Sequence, residues 1–292
     1  MKKILLSLIL AVFLVCPALS GAYTLDPDGG TQAGNEFDFN NFQFIGQSLV
    51  ENTFGTFAGD KVGTFTETGT FNFKTYNSIY DVDDTGYEIS VIFEAIGDIF
   101  DPAGQDPFFS FTTGTLHWYV EEIADPNSIE YATDDQTDGS FMGTDGGTAV
   151  EFATFELTSG GGTLSTDYSD VDGFVTAYFQ ATNIEDNYLF DGTIDMTDWV
   201  VGETLITLGF AHTTASNNYD NGDITDPFGY ELAEYRGGSA PIHDEDASDG
   251  SQTIYADNQG NFEISVVPEP TTMLLFGFGL LGLAGIGRRK NN

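Results

Sequence analysis

The chain has 292 residues, with 8 basic and 46 acidic side chains and a formal net charge of −38. Between residues 23 and 267 only Lys61, Lys74 and Arg236 are basic, against every acidic residue except Glu269, so this body carries −42. That excludes nucleic acid as a partner, because a phosphate backbone needs clustered Lys and Arg. The one cysteine, Cys16, excludes a disulfide-stapled domain.

Residues 1–22 have the order of a secretory signal peptide. Lys2 and Lys3 give the positive start, and Ile4 to Val15 the apolar stretch. Ala18-Leu19-Ser20 and Ser20-Gly21-Ala22 each place small residues where signal peptidase cuts. Cleavage there removes Cys16, which excludes thiol catalysis and thiolate metal sites from the mature chain.

From residue 23 onward the pattern is alternation with period two, broken by Gly, Asp, Asn and Pro. On the chain's first threonine row, Thr64, Thr66, Thr68 and Thr70 share one face, opposite Phe65, Phe71 and Phe73. This suits a sheet face turned to solvent. Tyr87, Ile89, Val91, Phe93 and Ala95 alternate with polar residues, as do Leu116, Trp118 and Val120. Phe174 to Ala181, Ile206 to Phe210, Ser251 to Tyr255 and Phe262 to Val266 read as further strands, the last leading through Val267 into Pro268. Gly160-Gly161-Gly162 reads as a turn, as do Asp101-Pro102, Asp125-Pro126, Asn221-Gly222 and Asp226-Pro227. With 26 Phe, the chain has enough aromatic area for a core without disulfides. The expected fold is all-β: a single antiparallel sandwich over residues 23–267, jelly-roll-like, with no fixed-period repeat. Trp118, on the same face as the apolar Leu116 and Val120, belongs to its core.

No catalytic constellation stands out. There is no Gly-x-Ser-x-Gly elbow, and His117, His212 and His243 lack the spacing of a zinc site. His117 and His212 read as ordinary strand residues. Carboxylates are so numerous that a pair at glycosidase spacing arises by chance, and no pair can be singled out. Clustered aspartates at turns do suit calcium, which takes about six to eight oxygen ligands. The candidates are Asp81 and Asp83 in Asp81-Val82-Asp83-Asp84-Thr85-Gly86, Asp220 and Asp223 around Asn221-Gly222, and Asp244 and Asp246 around Glu245. The first opens like an EF-hand loop but has Ile92 at the twelfth position and runs into a strand, so it is not one. The alternative is that these are solvated turn residues, since Asp favours turns by bonding its own backbone.

The chain ends with Pro268-Glu269-Pro270, an uncharged run from Thr271 to Gly287, and Arg288-Arg289-Lys290. As a helix the run reaches about 26 Å, close to the thickness of a bilayer's hydrocarbon core. The basic cluster would hold its end on the cytoplasmic side. A buried C-terminal helix is disfavoured, because three cations abut the run.

This three-part tail, residues 268–290, resembles the PEP-CTERM sorting signal of Gram-negative bacteria. The resemblance implies an exosortase that recognises Pro268, Glu269 and Pro270, with Arg288, Arg289 and Lys290 as the closing cluster. It implies transient anchoring in the inner membrane and a destination at the cell surface or in an exopolysaccharide matrix. The body also resembles the flocculation-associated subgroup of these proteins. That likeness rests on Gly63-Thr64-Phe65-Thr66-Glu67-Thr68-Gly69, Gly86-Tyr87-Glu88 and Phe111-Thr112-Thr113-Gly114-Thr115-Leu116, continued by Phe155 to Gly161. The expected function is that of a non-enzymatic surface or matrix protein, associated with biofilm or floc. The alternatives are a calcium-dependent carbohydrate-binding module and, third, a secreted glycan hydrolase.

Overall fold

A computed structural model describes residues 23–31, 34–122, 149–163, 174–201, 205–211 and 250–267. The signal-peptide segment 1–22, the sorting segment 268–290 with its expected helix, and Asp220, Asp223, Asp244 and Asp246 lie outside the described residues, as do His212 and His243.

The chain is all-β and antiparallel. Its short strands are β1 (Tyr23–Leu25), β2 (Phe37–Phe39), β5 (Tyr80–Asp81), β10 (Leu189–Asp191) and β11 (Ile194–Asp195). Its long strands are β3 (Asn41–Phe54), β4 (Lys61–Tyr76), β6 (Tyr87–Phe100), β7 (Phe108–Glu122), β8 (Val150–Thr163), β9 (Phe174–Ile184), β12 (Leu205–Ala211) and β13 (Ser251–Val267). A short helix, α1 (Thr197–Val201), follows β11, started by Asp195, whose carboxylate accepts from the Thr197 N–H at 2.9 Å.

The long strands follow one another around a ring. β4 pairs with β6, β6 with β7, β7 with β8, β8 with β9, β9 with β12, and β12 with β13. β3 pairs on one side with β4 and on the other with β13, Phe42 lying opposite both Tyr76 and Phe262. The sandwich is therefore hydrogen-bonded at both margins and closes as a barrel, which leaves none of these strands as an open edge. The all-β antiparallel sandwich expected from the sequence is borne out, while its connections differ from those of a jelly roll. A jelly roll needs long crossings between its layers, whereas here each strand bonds its neighbour in sequence and β13 alone returns to β3. The Gly160-Gly161-Gly162 turn is corrected: all three residues are inside β8, paired with Ala177, Thr176 and Val175 of β9. Their bare backbones suit a site of close approach, since a Cβ on Gly161 would press on the Phe109 carbonyl of β7. Ser251 to Tyr255 and Phe262 to Val266 prove to be parts of one strand, because pairing with β3 runs unbroken from Ser251 to Glu263.

Alternation sends one set of side chains into the barrel, and aromatics fill it. Trp118 is fully buried, 5.0 Å from Phe73, 5.2 Å from Phe155 and 5.9 Å from Phe262. Phe42 stacks on Phe73 at 4.5 Å, and Phe93 meets Phe179 from across the interior at 6.0 Å. Burial of this area is the main stabilising term, and no covalent staple is involved. β1, β2, β10 and β11 form a small sheet over the end where β3 begins and β4 finishes. Phe39 packs on Phe42 at 4.4 Å and Phe37 on Tyr76 at 4.6 Å.

Candidate functional site

The C-terminal address is joined directly to the fold. β13 ends at Val267, paired with Leu205, and the next residue is Pro268. Proline has no N–H to give to a ladder, so the strand has a chemical stop where the Pro-Glu-Pro element starts.

Of the aspartates singled out for calcium, Asp81 and Asp83 lie within the described residues. Asp81 closes β5 opposite Thr75, and Asp83 opens a 3-10 turn, Asp83–Thr85. The Thr85 hydroxyl donates to the Val82 carbonyl at 2.7 Å, and Gly86 supplies a left-handed residue, φ 81°, before β6. The segment is thus a tight turn between strands. Among the described residues, no group of three or more His, Cys, Asp or Glu is placed to hold a metal ion.

His117 lies on the outside of β7, where its Nδ1 is 2.9 Å from Glu151 Oε1 on β8. Thr154 donates to the same oxygen at 2.7 Å, and Tyr119 to Oε2 at 3.4 Å. Partial burial works to raise the Glu151 pKa, but these hydrogen bonds and the imidazole outweigh it and hold the carboxyl below the usual range.

Inside the barrel a polar patch interrupts the aromatics. Asn258 donates to Ser48 at 2.8 Å and Asn52 to Gln252 at 2.9 Å, both pairs bridging β3 and β13. Glu67 of β4 lies beside Ser48, and burial pushes its carboxyl up to about 7, against the lowering effect of the Ser48 hydroxyl.

The outer face carries a groove of about 570 Å³ across β4, β6, β7 and β8. The ladder register builds it. Thr68 is opposite Glu94, Glu94 opposite Thr115, and Thr115 opposite Glu156, which makes one rim. Thr66, Ile96 and Thr113 make the other, Ile96 being 51% exposed. Ala95 and Gly114 lie between the rims. A Cβ on Gly114 would come within 2.8 Å of the Glu94 carbonyl, so glycine permits the strands to approach here. The alternation in β4 already exposed Thr66 and Thr68. Glu94, Thr113 and Glu156 escaped notice as a group because only the register, offset by the extra residue Thr112 on β7, aligns them.

Comparison with known families identifies one feature. The PEP-CTERM protein-sorting motif matches residues 266–290. The chain thus carries a PEP-CTERM sorting motif, and this motif implies processing by an exosortase and export to the cell envelope or surface. Neither the curated proteins nor the solved structures hold a match to the chain.

Proposed function

We propose that this is a non-enzymatic protein of the cell surface or extracellular matrix, held among exopolysaccharide and contributing to biofilm or floc. The observation that carries the reading is the sorting motif at residues 266–290, which starts on the last two residues of β13. An acidic body with a net charge of −42 repels polyanions and stays hydrated, which suits a neutral sugar matrix. A signal peptide over 1–22, read by signal peptidase, begins the route, and the Thr271–Gly287 span tethers the protein to the inner membrane until processing. Calcium bound by the aspartates at Asp220 and Asp223 or at Asp244 and Asp246 would relieve self-repulsion and is a secondary proposal.

Deletion of residues 268–292 tests the route. The truncated protein should be exported yet released, while the full chain is retained at the cell and shows by mass spectrometry a new C-terminus near Val267. Equal retention of both forms refutes the reading.

A further inference from the structure

We propose that the outer groove across β4, β6, β7 and β8 is a binding site for a neutral polysaccharide chain. The inference rests on the matrix reading above and supplies it with a contact surface.

The first argument is shape. The groove crosses four neighbouring strands, and at about 4.8 Å per strand it is about 14 Å long. Its volume of about 570 Å³ is within the range of small-molecule sites, about 300–1,000 Å³. Thr66, Glu94, Ile96, Thr113 and Glu156 are exposed along it, and it is built on paired strands rather than on loops, so little ordering accompanies binding.

The second is chemistry. Glu94 and Glu156 offer carboxylate acceptors for sugar hydroxyls, and charge-assisted hydrogen bonds of this kind are the stronger ones. The hydroxyls of Thr68 and Thr115 on the same rim, and of Thr113 opposite, both donate and accept. Ile96, half exposed beside them, gives an apolar surface for the C–H face of a ring. A row that alternates acceptor and hydroxyl, facing an apolar residue, matches a sugar's own division into polar edge and apolar face.

The third is charge. Among the described residues no Lys or Arg lines the groove, and three carboxylates do, Glu67 at its floor and Glu94 and Glu156 on its rim, in a body of −42. An acidic glycan is repelled. A cationic peptide would favour exposed carboxylates close together, whereas the exposed pair, Glu94 and Glu156, is separated by Thr115 and so by about 10 Å.

The test is calorimetric titration of the purified full chain with neutral cello-, xylo- and manno-oligosaccharides, with oligogalacturonate as the acidic probe and oligolysine as the cationic one. At least one neutral probe should bind and the acidic probe should not. Glu94→Gln with Glu156→Gln, and separately Thr113→Val with Thr115→Val, should each weaken that binding about tenfold or more, with the thermal midpoint unchanged. The proposal is overturned if no neutral probe binds at millimolar concentration, if oligolysine binds more tightly than every neutral probe, or if both double variants bind like the parent. The retention assay with the 268–292 deletion involves no groove residue. Loss of retention on deletion together with no sugar binding therefore removes the groove and leaves the sorting reading intact.

Discussion

Phe65 lies opposite Gly97 across the β4–β6 pair, and its ring occupies the space where a Cβ of Gly97 would stand. Phe65 is 5% exposed and packs edge-on against Phe109 and Phe111 at 5.6 Å each. The glycine is thus required by its neighbours, the Phe65 ring and the Ser110 carbonyl, not by its own backbone angles. Gly97→Ala should destabilise the barrel by about 1–3 kcal/mol, as overpacking does, and Gly97→Val by more. Urea unfolding of the two variants checks this, and a neutral Gly97→Val would show that the ring has room to move.

Trp118 should be the costliest truncation in the core. Trp118→Ala leaves a large void among Phe73, Phe155 and Phe262 and should cost about 3–5 kcal/mol. Among the described residues its indole Nε1 has no hydrogen-bond partner, so Trp118→Phe removes an unsatisfied donor along with some volume and should cost about 1 kcal/mol. Denaturation midpoints of the pair measure the difference.

Glu67 makes stability depend on pH in a defined direction. Its carboxyl titrates near its ordinary value of 4.5 in the unfolded chain and at about 7 in the barrel. The folded state therefore binds the proton more tightly. The contribution of this residue is fullest below pH 4.5, declines as pH rises toward 7, and is flat above that. Glu67→Gln should be more stable than the parent at pH 8 and should flatten this part of the profile. Thermal melts at pH 5 and pH 8 decide the matter, and parallel profiles for the two proteins would contradict it.

The Lys61–Asp98 ion pair is short, 2.6 Å, and Lys61 also stands 4.9 Å from the Phe57 ring. Both charged side chains keep about a quarter of their surface in water, so screening limits the pair's worth. Lys61→Met should cost less than about 1 kcal/mol, and added salt should shrink the difference. A loss of several kcal/mol would indicate that this cation has a structural role beyond the pair.

Much of the fold was legible because period-two alternation fixes which side of a strand is buried. Ile89, Val91 and Phe93 enter the core as their spacing predicts, and Trp118 joins them. Turn chemistry was legible at Asp101-Pro102, directly after β6 ends at Phe100. It misled at Gly160 to Gly162, where glycines serve close strand approach and not reversal. The threonine row was half right: Thr66 is exposed, whereas Thr70 is 1% exposed on the same side of β4. Closure was beyond reach, because it depends on Asn52 meeting Gln252 and Ser48 meeting Asn258, residues about two hundred positions apart. The groove failed to show for the same reason, since Glu94 and Glu156 become neighbours of Thr115 only through pairing. The sorting signal needed no fold at all, being read as a linear string.

The position of β13 has a temporal consequence. The strand that shuts the barrel is the last one made, and its partner β3 must wait for it with one side unbonded. Such late, distant pairing is slow and leaves a sticky margin exposed in the interim. Since Pro268 follows the closing strand at once, completion of the fold and arrival of the sorting element coincide. A chain broken off upstream of residue 251 would lack both the latch and the address, so truncated products would be left open and unsorted together.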